Sequence, residues 1–402
     1  MVDGHGQFKL SRTAASDRVE VMVGSAGVIN DRLQLSQGIT RDISGGIGGQ
    51  FTIIPTIDLS ALIDPSATPE DKTRLTAEVR EACTRVGFFV IKNHGIDWNI
   101  VEAAFDGIKE FFDLPMEKKM EVHQSKSDSY QGYEQPYYTN VDRLKKGDLK
   151  ESYTTGYDPH TDPLGVGDAM PELLRRHNLW PNPKDAPIVK PALEAYRAAC
   201  LDLMRKLIRI MAVAIGEKED FFDKKITYPI AGIRALYYPP QENAGEEETG
   251  LGAHTDVQLM TMIAQKPYDI QALQVLNASG QWISPKLEPK TFVVNLSDMM
   301  GRLTNDTFLS TVDRVCNTDP RGRYSMPFFF GLNNDELTPT LPQFVTAENP
   351  LRECYDGGMT GYEHYNMRMQ RAHHKHPSAV NKVELGLPKG MTKIDGVIVE
   401  GL

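Results

Sequence analysis

Cysteine is scarce in this chain and widely scattered. Its 402 residues hold four, Cys83, Cys200, Cys316 and Cys354, with no C-x-x-C pair among them. Such spacing excludes a zinc-ribbon framework and argues against a disulfide-stapled fold, so the four read as thiols of a reducing compartment. Positive charge is also in short supply: 44 Lys and Arg against 54 Asp and Glu leave a formal charge of -10. A nucleic-acid partner is therefore not expected, because phosphate contacts require a basic surface. No apolar run approaches the ~20 residues of a membrane-spanning helix. Even Leu207 to Ile215 is interrupted by Arg209. The opening Met1-Val2-Asp3-Gly4-His5 lacks the basic and apolar regions of a secretory leader, and a cytoplasmic location is expected. Internal repeats and functional low-complexity tracts are missing too.

What is present is an ordinary globular composition, 40% hydrophobic and 24% charged, in a chain long enough to bury a large core. Residues 1 to 50 are rich in Gly, Ser and Asp and end in Gly45-Gly46-Ile47-Gly48-Gly49; they read as a flexible extension, in which Val19 to Val23 and Val28 to Leu35 supply short strands or a partner-binding arm. Thr52 to Leu59 is the first expected strand. A helix then starts at the N-cap Thr68, with Pro69 in its first turn, presents Leu75, Val79, Ala82 and Val86 on one face, and closes at Gly87. Phe88 to Ile91 is a short apolar strand, Asn93-His94-Gly95 a turn held by a structural histidine, and Ile100 to Phe112 a second helix. Residues 123 to 158 read as a polar, Tyr- and Gly-rich loop. The longest helical pattern runs from Pro191 to Ile215, with apolar residues at spacings of three and four, and reads as a buttress laid on a sheet.

From Ile233 onward the period becomes that of strands. Leu259 to Ala264, Gln271 to Leu276, Trp282-Ile283, Thr291 to Leu296 and Tyr324 to Phe330 are short segments parted by turn residues, Asn277-Ala278-Ser279-Gly280 being a hairpin. Many short strands with few helices predict a mainly β protein with flanking helices, built on a double-sheet jelly roll.

Two short patterns carry chemistry. In Gly252-Ala253-His254-Thr255-Asp256-Val257 the imidazole and the carboxylate stand at i and i+2, which in an extended strand places them on one face. They supply two thirds of a facial triad for non-haem iron. Arg323 and Ser325 stand at the same spacing, and a guanidinium beside a hydroxyl is a good clamp for a carboxylate.

Around these lie, in order, Ile54-Pro55-Thr56-Ile57-Asp58-Leu59, Gly87-Phe88-Phe89, Asn93-His94-Gly95, Ile233-Arg234-Ala235-Leu236-Tyr237-Tyr238-Pro239-Pro240, Gly280-Gln281-Trp282, Phe292-Val293-Val294-Asn295-Leu296-Ser297-Asp298, Thr304-Asn305 and Arg323-Tyr324-Ser325-Met326-Pro327. Over about residues 53 to 335 the set resembles the Fe(II)/2-oxoglutarate-dependent dioxygenases, in the branch shared with isopenicillin N synthase. The resemblance implies a double-stranded β-helix core at 226–335, an N-terminal dioxygenase region at 51–225, and a C-terminal helix and tail at 336–402. It implies Fe(II) as cofactor, and 2-oxoglutarate and O2 as co-substrates. The reaction would be hydroxylation, desaturation or ring closure of a small molecule, coupled to decarboxylation of 2-oxoglutarate. Arg323 and Ser325, assisted by Tyr238, would hold a carboxylate of 2-oxoglutarate or, as in isopenicillin N synthase, of the substrate. Asp256 is in place, and the family's halogenases lack that carboxylate, so halogenation is disfavoured.

One position departs from the family. Its second ligand histidine falls in Ser310-Thr311-Val312-Asp313-Arg314-Val315, so the third metal position is Asp313. One histidine with two carboxylates should hold iron less tightly and favour harder cations. Alternatively Asp313 is a surface residue paired with Arg314 or Arg321. His364, His373, His374 and His376 are candidate replacement ligands, or residues on a solvated helix face. The departure keeps two other readings open: a 2-oxoglutarate-independent oxidase, and a non-redox binding protein or metal-independent catalyst.

Overall fold

The structure, a computed structural model, describes residues 51–127, 129–139, 148–241 and 250–372, with a few short strands at either end. At the N-terminal end these strands, Val28–Ile29, Arg32–Gln34 and Thr40–Asp42, pair as an antiparallel meander; Val19 to Val23 lies outside the described residues.

Strand β1 (Thr56–Asp58) is shorter than expected and begins after Pro55, which cannot donate to a ladder. Helix α1 (Pro69–Arg85) opens on a full capping box: Thr68 accepts from the Asp71 N–H, and the Asp71 carboxylate accepts from Thr68. Strand β2 (Phe88–Lys92) and helix α2 (Trp98–Phe112) follow, the turn between them held by His94, whose Nδ1 accepts from the Ile96 N–H while Nε2 donates to the Lys290 carbonyl. Residues 123 to 158 are not merely a loop. They contribute β3 (Gly132–Glu134) and β4 (Glu151–Gly156) to the main sheet. Helix α3 (Val189–Ala214) buries 14 of its 26 residues, which explains its apolar pattern.

The remaining strands are β5 (Pro229–Tyr238), β6 (Leu251–His254), β7 (Met260–Lys266), β8 (Leu273–Leu276), β9 (Trp282–Ile283), β10 (Phe292–Leu296), β11 (Asp313–Val315) and β12 (Arg323–Asn333). A short helix α4 (Asp298–Leu303) precedes β11, and α5 (Gly361–Ala372) follows β12. They form an eight-stranded sheet, β1-β2-β10-β7-β12-β5-β4-β3, and a four-stranded sheet, β9-β8-β11-β6. These two facing sheets are the expected jelly roll, and the larger one draws strands from both sides of residue 225.

The period-2 alternation of the central strands separates two environments. On β7 and β12, Met260, Met262, Ala264, Met326, Phe328 and Phe330 face the helices and join their core. The intervening Thr261, Ile263, Arg323, Ser325, Pro327 and Phe329 line a cavity between the sheets. One register thus fixes both the core and the site. Among the described residues, no helix is long and apolar enough to cross a membrane.

Candidate active site

The cavity measures about 230 Å³ and has His254, Asp256, Asp313, Tyr238, Arg323 and Ser325 in its wall. All six residues singled out from the sequence therefore meet at one place. At one end, His254 closes β6 and Asp256 follows it; the His254 Nε2 lies 3.7 Å from Asp256 Oδ1. The other ring nitrogen, Nδ1, donates to the Gly252 carbonyl at 3.0 Å, which fixes the tautomer and leaves Nε2 as a lone-pair donor. Asp256 is oriented in turn by Asn295, whose Nδ2 donates to Oδ2 at 2.8 Å.

Asp313 lies on β11 directly across the ladder from His254. It is buried, so the surface alternative does not hold. Arg314 and Arg321 are engaged elsewhere: Arg314 donates to Gln274 and lies over the Trp282 ring, and Arg321 pairs with Asp319 and Asp269. Burial pushes the Asp313 carboxyl well above the ordinary carboxylate range; His254 pulls it down and Asp256 pushes it further up. On His254, burial works against the charged ring, but Asp313 and Asp256 outweigh it and the net shift is upward. A cation bound here would compete with protons on His254 and Asp313. Among the described residues, no group of three His, Cys, Asp or Glu side chains closes into a metal-holding cluster. His254 and Asp256 together present a nitrogen and an oxygen donor of the kind a divalent ion takes. His364 is buried but borders a separate small void, and His373, His374 and His376 lie outside the described residues.

At the far side, Arg323 is fully buried, with its guanidinium 5.1 Å from the Tyr238 ring. Its Nε and Nη2 donate to Gln265 Oε1 at 3.2 and 2.8 Å. Gln265 is itself held by three carbonyls of the turn that follows β7, those of Pro267, Tyr268 and Ile270. Arg323 Nη1 is buried and has no hydrogen-bond partner among the described residues. A buried guanidinium N–H without an acceptor is costly, and its natural complement here is a carboxylate. Ser325 stands on the same face, and burial pushes the Tyr238 phenol up to about 12 against the pull of Arg323 and Arg234.

Sequence reasoning gave no role of their own to several residues in and around the cavity. Arg234 shares a strand face with Leu236 and Tyr238, so the period-2 rule that found Arg323 and Ser325 could have found it. Gln265 and Asn295 gain their roles only through pairing across strands, and Lys150 through the docking of β4 on β5.

Comparison with known proteins agrees with this architecture. Residues 229–332 match the 2OG-Fe(II) oxygenase superfamily, and residues 54–183 match the N-terminal region described as "non-haem dioxygenase in morphine synthesis". The 2-oxoglutarate-Fe(II) type oxidoreductase ppzC of Metarhizium majus is 35% identical over 302 residues, 72% of this chain and 80% of that protein. The rice homoarginine-6-hydroxylase 2-ODD-233 is 35% identical over 79% of this chain and 94% of its own length. Among solved structures, a 2OG-Fe(II) oxygenase family protein from Caulobacter crescentus superimposes with a TM-score of 0.67 at 29% identity, covering 80% of this chain and 99% of that one. A full-length Neurospora crassa protein crystallised in complex with alpha-KG gives 0.67 at 26%, over 87% and 99%. The chain belongs to the Fe(II)/2-oxoglutarate-dependent oxygenases. It is an oxidoreductase of that family, with Fe(II) as cofactor and 2-oxoglutarate and O2 as co-substrates. The oxidase and non-redox alternatives are not favoured.

Proposed function

We propose that this oxygenase oxidises a C–H bond of a small organic molecule, with His254, Asp256 and Asp313 holding the metal and Arg323, Ser325 and Tyr238 holding the distal carboxylate of 2-oxoglutarate. The observation that carries the reading is the unpartnered Nη1 of Arg323, buried in the same cavity as the His254–Asp256 pair. Fe(II), when bound, supplies the redox chemistry that couples dioxygen to decarboxylation of the keto acid. The protein's part is to hold and orient. Gly252 sets the histidine tautomer, Asn295 aims the Asp256 carboxylate, and Gln265 fixes the plane of the Arg323 fork. Helix α5 contributes Tyr365, Asn366 and Met369 to the cavity wall, where they help exclude water.

Asp313 makes this centre harder and more anionic than one with two histidines, so it should hold iron less firmly. Relatives named as oxidoreductases of fungal strains and as plant homoarginine hydroxylases support small-molecule, secondary-metabolic chemistry. The four free cysteines support work in a reducing compartment such as the cytoplasm. The test is an anaerobic titration of the protein with Fe(II), with and without 2-oxoglutarate, followed by visible absorption. A weak metal-to-ligand charge-transfer band that needs both is expected. Iron binding without the band would favour an oxidase that does not chelate the keto acid. No iron binding would make Asp313 a lost ligand.

A further inference from the structure

A pair of cations also lines the cavity, and the proposed carboxylate clamp at Arg323 does not use it. Lys150 is buried, and Arg234 is half-buried with its accessible part in the cavity wall. Both reach the same oxygen of Glu134: Arg234 Nη2 lies 2.6 Å and Lys150 Nζ 3.8 Å from Oε2, so the two cationic ends sit side by side. Glu134 is fixed from behind by the hydroxyls of Thr139 and Ser152, at 2.5 and 2.9 Å. Asp148, 3.9 Å from Lys150 Nζ, accepts from the Gly252 N–H and so ties the cluster to the segment that bears His254.

The donors of this pair are under-used. Arg234 spends Nε on Ser152 and Nη2 on Glu134 and Thr139, while Nη1 makes no hydrogen bond with any described residue. Lys150 has its two carboxylates only at 3.8 and 3.9 Å, beyond good hydrogen-bond length. Glu134 and Asp148 are not in the cavity wall, whereas Lys150 and Arg234 are. A ligand entering there meets two cations with spare N–H groups and not the anions behind them. Burial, and then the adjacent Arg234, hold the Lys150 ammonium below its ordinary pKa, which an arriving anion would relieve. Tyr130, Ile230, Leu174 and Met369 give the same cavity a mostly apolar body.

We infer that Lys150 and Arg234 are the receptor for a carboxylate of the substrate, so that this oxygenase acts on a small organic acid whose apolar body lies under helix α5. The inference rests on the oxygenase reading and names the class of its substrate. It also separates two anion sites in one cavity: Arg323 for the co-substrate, and Lys150 with Arg234 for the molecule to be oxidised.

The test is binding to the full chain by anaerobic calorimetry with 2-oxoglutarate in excess, so that the Arg323 site is filled and no turnover occurs. The probes are phenylacetate, 3-phenylpropanoate and hexanoate, each against its own amide. Acids should bind at least about tenfold more tightly than their amides, the scale of one charge-assisted hydrogen bond. Lys150→Gln and Arg234→Gln should abolish that preference, and Arg234→Lys should keep most of it. Arg323→Gln should leave it intact. Because either Gln variant leaves Glu134 with one cation fewer, the charge-keeping Arg234→Lys and an unchanged melting temperature of each variant are the safeguards against misfolding. Acids and amides binding alike, or no acid binding, would overturn the inference. So would acid binding lost in Arg323→Gln but kept in Lys150→Gln and Arg234→Gln, an outcome that would leave the oxygenase reading standing.

Discussion

At the scale of single residues, the proposed metal site turns on Asp313. It faces His254 across the β11–β6 ladder, so a histidine there would present a second imidazole to the same point. Asp313→His is expected to raise Fe(II) affinity by roughly ten- to a hundredfold, the range over which changes around a metal centre usually act. Anaerobic titration against a competing chelator reads this directly, and an unchanged affinity would remove Asp313 from the coordination sphere. The co-substrate end is tested by Arg323→Met. Without the buried guanidinium, 2-oxoglutarate affinity should fall by about tenfold or more, the loss of a charge-assisted pair. Quenching of protein fluorescence by 2-oxoglutarate would follow it, and equal affinity in the variant would place the clamp elsewhere. Arg323 and Ser325 were legible in the sequence because a two-residue period depends only on local strand geometry; Asp256 lies beyond the end of β6, so the expected strand does not extend over the whole His254–Asp256 pair, which was legible as a motif. The burial of Asp313 was not, because it arises from pairing β11 with a strand about 60 residues earlier in the chain.

At the scale of elements, the turn between α1 and β2 shows how a local signal serves a distant site. Gly87 has φ +76°, and a Cβ there would lie 2.5 Å from both the Leu309 carbonyl oxygen and the Thr311 hydroxyl. The same turn receives the Leu309 N–H at Cys83 O and the Thr311 hydroxyl at Val86 O, at 3.0 and 2.6 Å. It therefore docks the segment that leads into Asp313. Gly87→Ala should cost about 1–3 kcal/mol, from left-handed strain and displacement of that segment. A lower urea midpoint with an unchanged slope would show it, and a wild-type midpoint would mean that residues 309–311 yield freely. Helix α1 was readable because its capping box and closing glycine lie within one sequence window. Strands β3 and β4 were not: Gly132, Tyr133 and Glu134 are all buried, so no alternation marks them, and β4 is specified by its partner β5.

At the scale of the whole molecule, one carboxylate joins parts that the chain order keeps apart. Asp298 opens α4 and accepts from Thr255 Oγ1 at 3.2 Å and from Ser310 Oγ at 2.7 Å, while its N–H donates to the Asp256 carbonyl at 2.9 Å. The fully buried Arg368 of α5 closes the group, pairing with Asp298 and donating to the Thr255 carbonyl at 2.8 Å. The segment of His254 and Asp256, the approach to Asp313 and the helix over the cavity thus share a single anchor. Removing one partner of such a pair strands a buried charge, and Asp298→Asn or Arg368→Met should each cost about 3–5 kcal/mol. The double variant should cost clearly less than the two losses combined, because neither charge is then left alone. Urea unfolding of the four proteins completes the cycle. Additive losses would mean that helix α5 is held by its other contacts, and that the Asp298–Arg368 pair does not couple the lid to the metal-bearing strands.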